Sequence, residues 1–139
     1  MSAPGRRQSR YANTARSGIY LASPIPTYAT VRYDRMSDLV QSRYPGETVL
    51  EARRLFTSSE DWRAQWPGIV ARIARLVFFA NEDGSLGAGV MRELYDARWH
   101  NVPIEFITDD RTFVSTYTLA LNSVDDPRCV AFVHAGDTQ

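Results

Sequence analysis

The run Leu76-Val77-Phe78-Phe79-Ala80 constrains the fold more than any other feature of the chain. It holds five apolar residues without a polar break. Such a run is too short for a helix of its own and reads as a strand buried on both faces. A strand of that kind needs covering layers above and below, which points to helices on both sides of a mainly parallel sheet.

The flanking sequence fits. Gly18 to Ala22 is a short apolar strand closed by Ser23-Pro24-Ile25-Pro26. Residues 28–43 place Val31, Met36, Leu39 and Val40 at mainly helical spacing, and Tyr44-Pro45-Gly46 stops that helix. Thr48 to Leu50 is a second strand. Thr57-Ser58-Ser59-Glu60 reads as a capping box that opens a helix through Trp62 and Trp66, with Pro67 interrupting and a further turn over 68–74. After the turn at 81–85, residues 87–100 form a helix with Val90, Leu94 and Ala97 inward. Residues 102–107 and 129–133 are further strands, whereas 113–121 fits helix or strand equally. The expectation is a three-layer, doubly wound α/β fold on a mainly parallel five-stranded sheet, flavodoxin-like or Rossmann-like.

Residues 1–16 are polar, with Arg6, Arg7, Arg10 and Arg16 and no acid, and read as a disordered basic tail before one domain over 17–139. All 16 basic residues are arginine and 16 acids balance them, so a nucleic-acid surface is poorly supported. The absence of lysine excludes Schiff-base and P-loop chemistry. A single cysteine, Cys129, read as a buried inert thiol, excludes an intrachain disulfide and cysteine-based zinc sites. His100 and His134 have no metal-ligand spacing, so no metal is expected. No apolar run approaches the ~18 residues of a membrane span, and no apolar leader precedes a cleavage site. A cytoplasmic chain that needs no metal and no membrane is the expectation.

In open parallel sheets ligands gather beyond the carboxyl ends of the strands. Two loops have that placement. One follows the first strand, at Ala22-Ser23-Pro24-Ile25. The other runs from Asn81 to Gly89 and carries Asp83, Gly84, Gly87 and Gly89 into a helix N-terminus, where free N–H groups favour anions. Gly-x-Gly alone is weak evidence, and a plain flexible turn explains it equally well. Glu93 lies four residues past Gly89. It is either an acid favoured by the helix dipole or a carboxylate aimed into a cleft. Tryptophans 62, 66 and 99 suit packing better than base stacking. Arg53-Arg54 suits a solvated face better than a phosphate contact.

Two segments carry a family resemblance. Ile19-Tyr20-Leu21-Ala22-Ser23-Pro24 resembles the opening strand of the nucleoside 2-deoxyribosyltransferase family. Gly87-Ala88-Gly89-Val90-Met91-Arg92-Glu93-Leu94-Tyr95-Asp96-Ala97, followed by Val102-Pro103-Ile104, resembles that family's glycine–glutamate helix and next strand. The likeness covers about residues 18–107 in order. It implies a nucleoside or nucleotide N-glycosyl enzyme without a cofactor, working as a homo-oligomer. Glu93 would be the nucleophile on the anomeric carbon and Tyr20 the phenol that orients it, while Ser23 would lie in the sugar-side loop with Ala22 and Pro24. The residue types suit that chemistry, because a carboxylate can form and release a glycosyl ester. Tyr20 equally suits a plain core tyrosine.

The chain departs from the family pattern where acids are common. Arg75 stands just before the Leu76–Ala80 strand, as a surface residue or placed to meet a phosphate or an acidic neighbour. Gly87 stands before the glycine turn, with Asp83 or Glu82 as substitutes from the longer loop. Hydrolysis instead of transfer, or a non-catalytic nucleotide-binding module on the same fold, is therefore a rival expectation. An interaction protein using the basic tail is a third.

Overall fold

The computed structural model describes residues 16–126 and 129–136, and side chains outside 122–128. Apart from Arg16, the basic tail lies outside the described residues. Elements follow in the order β1 (Ile19–Ala22), a 3-10 turn (Ile25–Thr27), α1 (Val31–Arg43), β2 (Val49–Glu51), α2 (Ala52–Leu55), α3 (Ser59–Val70), β3 (Arg75–Phe78), β4 (Ser85–Leu86), α4 (Ala88–Trp99), β5 (Ile104–Ile107), β6 (Phe113–Val114), β7 (Tyr117–Asp126) and β8 (Cys129–Ala135).

The main sheet has five strands in the order β2-β1-β3-β5-β6. The first four are mutually parallel and β6 runs antiparallel to β5. The chain leaves β1 for β2 on one side and returns to β3 on the other, so the winding reverses beside β1. Register sorts the side chains by period two. Tyr20 sits beside Leu76, which sits beside Ile104, on one face. Leu21, Val77 and Glu105 share the other. On the first face, Tyr20, Ala22, Leu76 and Phe78 pack against Trp66, Ile69 and Val70 of α3 and Val90, Leu94 and Ala97 of α4. On the second face, Ile19, Leu21, Val77 and Phe79 pack against Tyr33, Met36 and Val40 of α1. The chain is thus a three-layer α/β structure, and the double burial read from Leu76–Ala80 holds.

Several local expectations change. The cap of α3 is Ser58, not Thr57: Ser58 Oγ accepts from the Asp61 N–H at 3.0 Å and Asp61 returns the favour to the Thr57 N–H at 2.9 Å. A reciprocal cap of the expected kind is thus present one residue later, with Asp61 reaching back to the residue before the cap. Pro67 does not interrupt the helix, which runs on to Val70. Pro67 and Arg63 are both exposed, so the carbonyl that proline leaves unbonded faces water, while Trp66, Ile69 and Val70 hold the inner side. Val31 is exposed because α1 begins there, off the end of the sheet.

The region 113–121 holds two strands, β6 at the edge of the main sheet and the start of β7, with a break at 115–116. The 129–133 strand does not join the parallel sheet: β8 pairs antiparallel with β4 and β7 in a separate three-stranded sheet. This second sheet grows from the 81–85 turn, where Gly84 takes φ +87° and its carbonyl accepts from the Val133 N–H at 2.9 Å. Leu86 and Val133 then enter the first core. Cys129 is half-buried rather than buried. Among the described residues, no helix is long and apolar enough to cross a membrane.

Candidate functional site

The side of the sheet that carries α3 and α4 holds a cavity of about 340 Å³, within the range of small-molecule sites. Three parts of the chain enclose it. Ser23, Ile25, Pro26 and Tyr28 come from the segment after β1. Ala52, Phe56 and the Thr57-Ser58-Ser59 opening of α3 come from the segment after β2. Gly87, Ala88, Gly89, Val90 and Glu93 come from α4, and Trp62 reaches in from α3. The cavity therefore sits beyond the carboxyl ends of the strands, beside the reversal in winding, where ligands gather in open α/β sheets.

Local sequence explains how each wall is built. Thr27 folds the loop after β1 back on itself: its hydroxyl donates to the Pro24 carbonyl at 2.6 Å and lies 2.9 Å from Ser23 Oγ. No side chain caps α4 at Gly87, so the first-turn N–H groups of that helix have no partner within it. A Cβ built at Gly89 would meet nothing within 4 Å. Glycine there leaves the helix mouth open.

Among the described residues Glu93 is the only acid in the lining, and it is buried although it borders the cavity. Its Oε2 accepts the Tyr20 hydroxyl and also the Trp62 indole N–H, the latter at 2.9 Å. Burial, with a smaller push from the nearby Asp96 charge, outweighs the downward pull of the Tyr20 and Trp62 hydrogen bonds and leaves the carboxyl raised to about 7. Burial, with the adjoining Glu93 carboxylate, raises the Tyr20 phenol far above its ordinary range and keeps it a donor. Burial, then the Glu93 charge, pushes Tyr28 up to about 12. A second rung lies one turn along: Trp66 donates its indole N–H to Asp96 Oδ2 at 2.9 Å, and the Tyr20 and Trp66 rings touch with centroids 4.8 Å apart.

The residues singled out in the sequence thus divide. Glu93, Ser23, Gly87 and Gly89 line the cavity, and Tyr20 lies beneath it in contact with Glu93. Ala22 is buried in the core below, and Pro24 shapes the loop without lining the cavity. Asp83 does not reach it, because its carboxylate is taken up by the Ser85 N–H and hydroxyl at 3.0 and 2.6 Å. Arg75 belongs to a different place. It starts β3 at the opposite end of the strand and shares a face with Val77, where it pairs with Glu105 at 3.9 Å and stacks on Tyr44. The acidic neighbour expected for Arg75 is Glu105, on the α1 side of the sheet.

Arg53 is also occupied, by Asp34 and Glu51 and by the Tyr33 ring beneath its guanidinium. Trp99 does not pack: it is 76% exposed. Sequence reasoning missed Tyr28, Phe56 and the polar opening of α3 as walls, and the hydrogen-bonding role of Trp62. The signal for the last was the pair of tryptophans one turn apart, since each buried indole N–H needs an acceptor.

Chemically, the arrangement offers a buried carboxylate that changes charge near neutrality, fixed by two donors at the floor of a largely apolar, aromatic-walled cavity with hydroxyls at its rim. Among the described residues no cluster of three or more histidine, cysteine, aspartate or glutamate side chains could hold a metal ion. Comparison of the chain with protein-family models, with curated proteins and with solved structures finds no match in any of the three.

Proposed function

We propose that the protein is a nucleoside or nucleotide N-glycosyl enzyme built on a flavodoxin-like, doubly wound domain. The observation that carries the reading is the hydrogen bond from the Tyr20 phenol to the Glu93 carboxylate at the edge of a ligand-sized cavity. A phenol from the first strand and a carboxylate from a glycine-led helix are 73 residues apart in sequence, and the resemblance to nucleoside 2-deoxyribosyltransferases pairs the same two groups.

In the proposed reaction the ionised Glu93 carboxylate attacks the anomeric carbon. The C–N bond breaks, its electron pair leaves with the base, and the base nitrogen takes a proton from solvent. Water or a second base then attacks the anomeric carbon, the C–O bond of the glycosyl ester breaks with its electron pair returning to the Glu93 carboxylate, and the attacking group gives its proton to solvent. Tyr20 holds the carboxylate and stabilises its charge. Tyr28, Phe56 and Trp62 supply faces against which a flat base can stack. A homo-oligomer belongs to the same proposal and is read by light scattering.

One observation favours a second reading, a nucleotide-binding module without turnover: among the described residues no acid besides Glu93 lines the cavity to hold a departing base. Incubating the protein with a panel of nucleosides, deoxynucleosides and their monophosphates, with and without a free acceptor base, decides between the two. Free base detected by chromatography, with loss of about 10³-fold or more in Glu93→Gln, supports the enzyme. Saturable binding without base release supports the module.

A further inference from the structure

We propose that Trp62 is a positioning residue for Glu93: its indole N–H shares Oε2 with the Tyr20 hydroxyl and so leaves Oε1 as the oxygen that bonds to the sugar. The inference rests on the N-glycosyl reading and adds to it a residue, and a choice of oxygen, that the resemblance does not supply.

A carboxylate has two oxygens, and here both donors converge on one of them. Oε1 accepts no hydrogen bond among the described residues, while the Glu93 side chain borders the cavity. The lone pairs of the hydrogen-bonded oxygen are committed to its two donors, so the unbonded oxygen is the one that can bond to carbon without breaking a contact. The donors come from different layers, β1 and α3, and clamp the carboxyl from two directions. The clamp is braced: Trp66, one turn beyond Trp62, ties the same helix to Asp96, one turn beyond Glu93.

The two donors differ in kind. A phenol can donate to a carboxylate or accept from a protonated carboxyl, but an indole N–H only donates. Trp62 therefore favours the ionised, attacking form of Glu93 over the protonated one, because it bonds a charged acceptor more strongly than a neutral carbonyl. Its ring also lines the cavity, so the substrate-facing side chain is the same one that fixes the nucleophile.

Two replacements separate donation from bulk. Trp62→Phe keeps an aromatic ring without the N–H. Installing 3-benzothienylalanine at position 62 keeps the shape and exchanges the N–H for sulfur. With either change, the rising limb of the kcat–pH profile should move up by about one pH unit. The deficit should be about tenfold at pH 6.5 and should shrink to within about threefold at pH 9, and the benzothienyl replacement, which keeps the ring face towards the cavity, should leave KM within about threefold. Carbon-13 titration of the Glu93 carboxyl in the resting protein should move upward by a similar amount, whether or not substrate turns over.

A loss of activity equal at every pH, or an unmoved Glu93 titration in a chain that releases base, would overturn the inference and leave the N-glycosyl reading standing. An upward titration shift in a chain that releases no base from any of the panel would overturn that reading, and the role of Oε1 with it.

Discussion

Glu93 sits where burial and hydrogen bonding oppose each other. Burial raises its carboxyl to about 7 against an ordinary value of 4.5, so between those values the folded chain holds a proton that the unfolded chain has released. Stability contributed at this site is therefore greatest below about pH 4.5, declines as the pH rises towards 7, and is level above it. The decline is up to about 3 kcal/mol. Glu93→Gln keeps an acceptor for Tyr20 and Trp62 and removes the ionisation. Denaturant titrations from pH 5 to 8 should show the native chain losing stability and the variant nearly flat, with the variant the more stable of the two at pH 8. Parallel slopes for both proteins would mean that the carboxyl is not held against its charge. Activity runs the other way, because attack needs the anion. The rate should rise through about pH 7, so the site would gain reactivity over the interval in which the fold loses stability.

At the scale of elements, α3 and α4 do most to form the site, and each has a feature that helix propensity alone disfavours. Gly89 lies in the first turn of α4, where a Cβ meets open space rather than a neighbour. Packing does not require glycine there; under the proposed function, room for a ligand would account for it. Gly89→Ala should stabilise the fold by up to about 1 kcal/mol. It should also weaken binding of a nucleoside at the helix mouth. A thermal melt and a binding isotherm read the two effects separately, and a gain in stability with unchanged affinity would remove Gly89 from the site. The legibility of these elements varied for physical reasons. The start of α4, its inward face and Glu93 were readable because a glycine turn and a 3.6-residue period are local signals. The continuation of α3 through Pro67 was not, since it depends on which face of the helix meets water. Trp62 was visible as an aromatic but not as a donor, because its acceptor is 31 residues away.

For the molecule as a whole, the parallel sheet brings β1, α3 and α4 to one cavity, and it was legible from continuous apolar runs that only a two-sided burial explains. The second, antiparallel sheet was not. Its pairing of the 81–85 turn with β8 joins segments nearly 50 residues apart, with strands as short as Ser85–Leu86. The same limit separated Arg75 from the site: its neighbour in sequence is a core strand, but the period of two turns its side chain towards Glu105 and away from Glu93. Tyr20 has the opposite parity to Arg75, and that one-residue offset decides which of them meets the carboxylate. The central claim is that Glu93 becomes bonded to a sugar, and a trapping measurement addresses it directly. A nucleoside fluorinated at the 2′ carbon slows release of the glycosyl ester by destabilising its positively charged transition state. Mass spectrometry after incubation should find the fluorosugar mass added to the peptide containing Glu93, and nothing added in Glu93→Gln. An unmodified Glu93 peptide in a chain that has released the base, or the sugar attached to a different residue, would contradict the account.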